Sequence, residues 1–279
     1  MDAGANLPLA FAWCVLCGFF MSAGAGGGGI LAGIGHISIL GVTDPNLIKV
    51  ANQILEFSSR LVSVPIYHRQ KRLVWSLALS FGIGAPIGAA AGSWFSKTYL
   101  SDLAIYRAVF GLLVALVAAR VLYEGWFKPA RKQPAPDGIH PKTVSFGLRS
   151  ARVQFGGDAI AYSPLTAALG GFAISFVGSA MGVGGGFLVT PFMASVLAVP
   201  MFLVVGTGLV ALMIPLTVSV LTYLALEVRV DWTLIAVEVP GILAGSLLGP
   251  VFVRYLNERA LKTFVAAVLL AIGIYYLAF

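Results

Sequence analysis

Two glycine-rich stretches carry the clearest chemical signal in this chain: Gly24-Ala25-Gly26-Gly27-Gly28-Gly29 and Gly182-Val183-Gly184-Gly185-Gly186. Each interrupts an apolar segment. In water such a run is a loose linker, because glycine is permissive in φ and costly to order. At membrane depth, non-helical backbone is tolerated only where protein buries it or where it lines a wet cavity. Two broken helices at corresponding places in two halves point to a transporter's binding site. Bare N–H groups at Gly26, Gly27, Gly28 and Gly29 and at Gly184, Gly185 and Gly186, with the helix starts at Ile30 and Phe187, present partial positive charge and suit an anion. The competing reading is that these glycines only let helices approach closely.

Among side chains, Arg60 is the sharpest candidate. It lies inside a span, about seven residues before the following loop, and ionisable groups in spans are functional or paired. Its planar fork suits an oxyanion such as sulfite or a sulfonate; alternatively it snorkels to the membrane surface. Glu56, one turn earlier, can hold it as an i,i+4 pair. Asn52, Gln53 and Ser59 on the same segment, and Thr207 from the other half, can supply neutral donors. Glu56, Glu238 and His36 are the candidates for proton coupling. Glu238 has Arg229 as an alternative partner, and His36 has hydrogen-bonded packing as its blander role. Cys14 and Cys17 form a C-x-x-C, but no further Cys or nearby His completes a site, so they read as small packing groups. The glycine runs lack the Lys-Ser/Thr ending of a nucleotide loop. No nucleophile–base pair or metal-ligand cluster emerges, so neither enzyme chemistry nor a cofactor is expected.

What positions these residues is a membrane. Of 279 residues, 59% are hydrophobic and 10% charged, against about 25% charged in a soluble domain. Apolar runs long enough to span a bilayer recur throughout. The net charge of +7 comes from basic residues clustered in short loops, which membrane topology explains better than nucleic acid does. The first apolar run, Leu7 to Met21, is as long as a signal peptide but lacks its positively charged start.

The spacing predicts a glycine-broken segment over 7–40, then spans over 46–67, 75–95 and 103–123. A polar linker over 126–163 has room for one short hairpin. A second broken segment follows over 164–197, then spans over 201–226, 232–253 and from Leu261 onward. The halves, 1–125 and 164–279, superpose as sequences. Ser22-Ala23 with Gly27 to Gly29 matches Ser179-Ala180 with Gly184 to Gly186; Pro45 matches Pro200; Asn52 matches Thr207; and Gly88-x3-Gly92-Ser93 matches Gly241-x3-Gly245-Ser246. The glycines from Gly82 to Gly92 and from Gly241 to Gly249 read as helix-packing positions.

A straight helix of about 34 residues reaches about 50 Å, well beyond a bilayer core of about 30 Å. Each broken segment is therefore a long tilted span or a hairpin of two short helices. Hairpins leave three spans per half and make the halves inverted. They also gather basic residues on one side: three in His68–Arg72, six in the linker and three in Arg254–Lys262, against two in the opposite loops. That distribution favours inverted hairpins with the linker cytoplasmic. The expected fold is an all-α polytopic membrane protein of two repeated, inverted halves.

The glycine run with Gly184-Gly-Gly-Phe-Leu-Val-Thr-Pro191, the Val205-Gly-Thr207-Gly segment and Val230-Asp231-Trp232, echoed by Gly26 to Gly29 and Asn52, resembles the sulfite exporter TauE/SafE family of permeases over nearly the whole chain. Where that family often reads Gly-Thr-Asn-Lys, this chain has Val50-Ala51-Asn52-Gln53, so the lysine is absent and Arg60 is read as taking over its charge. The resemblance implies a secondary transporter, more an exporter than an importer, for sulfite or an organosulfonate, in the cytoplasmic (inner) membrane. Its partners would be a small sulfur-containing anion and the lipid bilayer, with a homodimer possible and no nucleic acid. The alternatives are an uptake permease for another organic or sulfur anion, and a membrane-embedded enzyme.

Overall fold

The computed structural model describes residues 7–23, 27–127, 141–155, 157–252, 270, 273 and 274. Gly24 to Gly26, residues 128–140 of the linker, the Arg254–Lys262 loop and most of the last expected span lie outside the described residues.

Helix α1 (Leu7–Ser22) ends at the first glycine run, and α2 (Gly28–Ile34) runs into a π-helical turn over Gly35–Ile39. Four further helices open on a side-chain cap, which satisfies N–H groups that lack a partner inside the helix. Asp44 accepts from Asn46 N at 2.9 Å at the start of α3 (Pro45–Arg69). Asp102 Oδ1 takes the N–H groups of Ala104 and Ile105 at 2.8 and 3.0 Å before α5 (Leu103–Phe127). Ser163 caps α6 (Pro164–Met181), and Asp231 caps α10 (Trp232–Phe252). Between these lie α4 (Trp75–Tyr99), α7 (Gly186–Pro191) with a second π turn over Phe192–Val196, α8 (Met201–Ala211) and α9 (Met213–Ala225).

Among the described residues, five stretches are long and apolar enough to cross a membrane: Trp75–Tyr99, Leu103–Arg120, Pro164–Met181, Met201–Ala225 and Trp232–Val251. Helix α3 has the length but not the hydropathy, because it carries Lys49, Asn52, Gln53, Glu56, Ser59, Arg60 and Ser63, all buried. It is the polar axis of the molecule. Apolar residues such as Ile83, Ile87, Leu116 and Leu169 face outward instead, as lipid-facing positions must.

Both broken segments fold back as hairpins. Trp13 Nε1 donates to Leu31 O at 2.9 Å, although 18 residues of straight helix would span about 27 Å. A Cβ on Gly35 would strike the Trp13 indole, and one on Gly170 would strike the Phe192 ring. The same junction is thus filled by an aromatic from the first arm in one half and from the second arm in the other.

The glycine ladders perform the close packing expected of them except at Gly82, where a Cβ would meet only Ile214 at 3.7 Å. Gly84, Gly88 and Gly92 of α4 press on the carbonyls of Ala168, Phe172 and Phe176 of α6, while Gly241, Gly245 and Gly249 of α10 press on those of Phe11, Val15 and Phe19 of α1. The first helix of each half is thereby clamped to the ladder helix of the other. Ser93 on α4 bonds Ser219 on α9 at 2.6 Å, and Ser246 on α10 bonds Ser59 on α3 at 2.8 Å. Helix α3 runs antiparallel to α8–α9: Val50 packs with Tyr223 and Val228, and Tyr67 with Leu209.

The all-α expectation needs one correction. The linker carries a three-stranded antiparallel sheet of β1 (Lys142–Phe146), β2 (Ala151–Phe155) and β3 (Asp158–Tyr162), not one hairpin at most. Strand β2 alternates cleanly, with Ala151, Val153 and Phe155 buried beside Val74 and Leu77 of the α4 end and Phe202 of α8. That half-buried surface is what stabilises so short a sheet.

Candidate functional site

Breaking α6 at Met181 leaves carbonyls without helical partners, and in a membrane each must find a donor. Side chains supply them. Ser179 O accepts from Tyr223 OH at 2.9 Å and Gln53 Nε2 at 3.2 Å, Ala180 O from Ser96 Oγ at 2.6 Å, and Met181 O from Tyr106 OH at 3.0 Å. At the end of α1, Tyr67 OH donates to Ser22 O at 2.9 Å. Tyr67 near the end of α3 and Tyr223 near the end of α9 thus each brace the helix break of their own half.

The backbone at the second break is left-handed at Gly182, Gly184 and Gly185, with φ of 68, 60 and 75°. A side chain is strained there. The first break needs its glycines for space: a Cβ on Gly28 would lie within 2.8 Å of Cys17 O, and one on Gly29 would collide with the Glu56 carboxylate.

Gly28 and Gly29 from the first run and Gly186 from the second meet on the wall of one cavity, with Glu56 and Arg60. Thr190, Gly208 and apolar side chains complete it. Arg60 is 2% exposed, so it is buried in the protein and does not snorkel. Its Nη1 lies 2.5 Å from Glu56 Oε2 and donates to Glu56 O at 2.7 Å, while its Nε has no partner. Nη2 would sit 3.8 Å from a Cβ at Gly186.

The other expected residues that are described do not line this cavity. Asn52 Oδ1 holds His36 Nδ1 at 2.8 Å, and its own Nδ2 is buried without a partner. His36 Nε2 meets Glu238 Oε1 at 2.9 Å; Glu238 thus pairs with His36, not with Arg229. Gln53 braces the α6 break, and Ser59 joins Ser246. Thr207 Oγ1 accepts from Val74 N at 3.0 Å. Gly184 touches Glu56, and Gly185 faces Ile174 and Leu212. Gly27 precedes α2 and is buried, whereas Gly26 lies outside the described residues. Cys14 and Cys17 are buried free thiols.

Sequence reasoning missed Lys49, though a lysine within a span is itself a signal. It is fully buried, donating to Leu100 O at 2.6 Å and sitting 4.7 Å from the centre of the Tyr106 ring. It also did not single out Thr190 and Gly208 on the cavity wall, although both lie inside the motifs Gly184–Pro191 and Val205–Gly208 that carry the family resemblance. Among the described residues no group of three or more His, Cys, Asp or Glu could hold a metal ion.

Residues 10–276 match the model of the family described as sulfite exporter TauE/SafE. A probable membrane transporter protein of Xylella fastidiosa is 28% identical over 263 residues, covering 93% of this chain and 90% of the relative. Another, YunE of Bacillus subtilis, is 24% identical over 220 residues, covering 76% of this chain and 74% of the relative. No solved structure matches.

Proposed function

The chain belongs to the sulfite exporter TauE/SafE family, a multi-pass membrane transporter by family and relatives, and on that premise we propose that it is a secondary permease for sulfite or an organosulfonate. The single observation that carries the anion reading is Arg60, buried at a cavity whose wall joins both glycine breaks. A buried guanidinium with an unpartnered Nε–H is suited to an anion that presents two adjacent oxygens to its fork, as sulfite and sulfonates do. Gly28, Gly29 and Gly186 let a ligand approach the backbone on both sides of it.

We read the halves 1–125 and 164–279 as inverted repeats joined by a cytoplasmic linker, in the cytoplasmic membrane. The antiparallel course of α3 and α8–α9 supports this, as does the reciprocal clamping of α1 on α10 and α6 on α4. The cavity then lies between the repeats, and rocking one against the other exposes it to each side in turn. Export is the direction that the family description favours.

The test is flux of labelled sulfite into proteoliposomes, with and without a pH gradient, against sulfoacetate and taurine as competitors. Saturable flux blocked by a sulfur anion is expected. No flux with any sulfur anion, from protein shown to be folded, overturns the substrate assignment.

A further inference from the structure

One of the chain's own carboxylates already sits against Arg60, beside the edge that an incoming anion would take. A Cβ on Gly29 would strike Glu56 Oε1, and a Cβ on Gly184 would strike Oε2. Glu56 is therefore wedged between the two glycine breaks, 3% exposed and paired with Arg60. This pairing uses Nη1 alone. The side-on edge of the guanidinium, Nε with Nη2, is the edge an oxyanion grips with two parallel bonds. Here Nε–H is unpartnered and Nη2 faces Gly186 across the cavity wall.

The charge balance decides what binding entails. Glu56 and Arg60 together are neutral. An added monovalent anion leaves the buried site with one uncompensated negative charge, which burial makes costly. A proton on Glu56 restores neutrality: an O–H bond forms on the carboxyl, its hold on Arg60 weakens, and the guanidinium passes to the ligand. The other titratable and charged groups on the surrounding elements are Lys49, Tyr67, His68 and Arg69 on α3, His36 on the arm bearing Gly29, Glu238 on α10, Cys14 and Cys17 on α1, and Tyr223 on α9; Tyr67 donates to Ser22 O, and His68 and Arg69 are exposed at the helix end. Helices α6, α7 and α8 carry none. His36 and Glu238 satisfy each other, and Lys49 is turned to Leu100 O. Glu56 is the carboxylate in direct contact with Arg60.

We propose that Glu56 is a tethered counter-anion, displaced from Arg60 as it takes up a proton, so that substrate anion and proton load together. The inference rests on the anion-permease reading and adds a coupling mechanism to it. Loading a monovalent anion with a proton is electroneutral, so net flux follows the sum of the anion and proton gradients.

Calorimetric titration of the purified full chain with methanesulfonate tests this, since that anion keeps one charge across the working pH range. Repeating the titration in buffers of different ionisation enthalpy counts protons. Wild type is expected to take up about one proton per anion, because the coupling is reciprocal. Glu56→Gln is expected to take up none and to bind about tenfold tighter or better above neutral pH, where the wild-type site is mostly self-occupied. Unchanged uptake in Glu56→Gln, or no gain in affinity, overturns the proposal. So does uptake that survives Glu56→Gln but vanishes in Glu238→Gln. If acetate binds with these signatures and methanesulfonate does not, the sulfur reading fails while this one stands. If Glu56→Gln binds neither, both fall. Should Glu56→Gln not fold, Glu56→Asp draws the charge back by one methylene; it should bind the anion more tightly than wild type, and equal or weaker binding counts against the proposal.

Discussion

His36 Nε2 stands 2.9 Å from Oε1 and 3.1 Å from Oε2 of Glu238, although 202 positions separate them. The pair ties the hairpin of the first half to α10 of the second, and Asn52 holds the other imidazole nitrogen. Removing one partner of a buried pair costs about 3–5 kcal/mol, whereas replacing both by apolar groups is often near neutral. Glu238→Ala or His36→Ala should therefore lower the thermal midpoint sharply. The double variant His36→Phe with Glu238→Leu should recover most of that loss. Thermal unfolding of the four proteins in detergent checks this, and additive losses would refute the coupling.

Arg60→Ala should weaken anion binding strongly and, because it leaves Glu56 without its buried partner, lower the thermal midpoint while the protein still folds. Hydrogen bonds to a charged group contribute about 1.5–3 kcal/mol, which is about ten- to hundredfold in affinity. Calorimetry with methanesulfonate, beside size-exclusion profiles, gives the answer. Undiminished affinity would remove Arg60 from the site.

The glycines of the two breaks should respond unequally to alanine. Gly184→Ala meets both a left-handed φ of 60° and the Glu56 carboxylate, so it should destabilise by at least about 1–2 kcal/mol. Gly186→Ala has only Arg60 Nη2 near it, at 3.8 Å; it should fold normally yet bind the anion more weakly. Folded yield and binding, measured together, separate the two effects.

Inversion of the halves predicts sidedness. In a background lacking Cys14 and Cys17, single cysteines at exposed Gln70 and Ser145 should react with an impermeant maleimide from the cytoplasmic face. Cysteines at exposed Thr43 and Glu227 should react from the opposite face. All four reacting from one side would exclude the arrangement.

The native cysteines themselves should stay unreactive in the folded protein, since Cys14 is 2% exposed and Cys17 fully buried. Mass spectrometry after thiol labelling with and without denaturant checks this; labelling without denaturant would contradict the packing role.

The membrane class, the two glycine breaks and the matching of one half to the other were legible in the linear sequence. These depend on composition and local spacing, which neighbouring residues encode directly. It also suggested the Glu56–Arg60 pair, because i and i+4 meet on any helix. The third strand of the linker sheet escaped notice, since its stability comes from packing on α4 and α8 rather than from its own pattern. Only the tertiary structure decided that each broken segment folds back, that His36 meets Glu238, and that Thr207 caps Val74 instead of lining the cavity. It alone placed Glu56 between Gly29 and Gly184. Those contacts join residues 18 to 202 positions apart on different elements, and rotating a helix about its axis by a fraction of a turn would replace each of them without altering any local sequence signal.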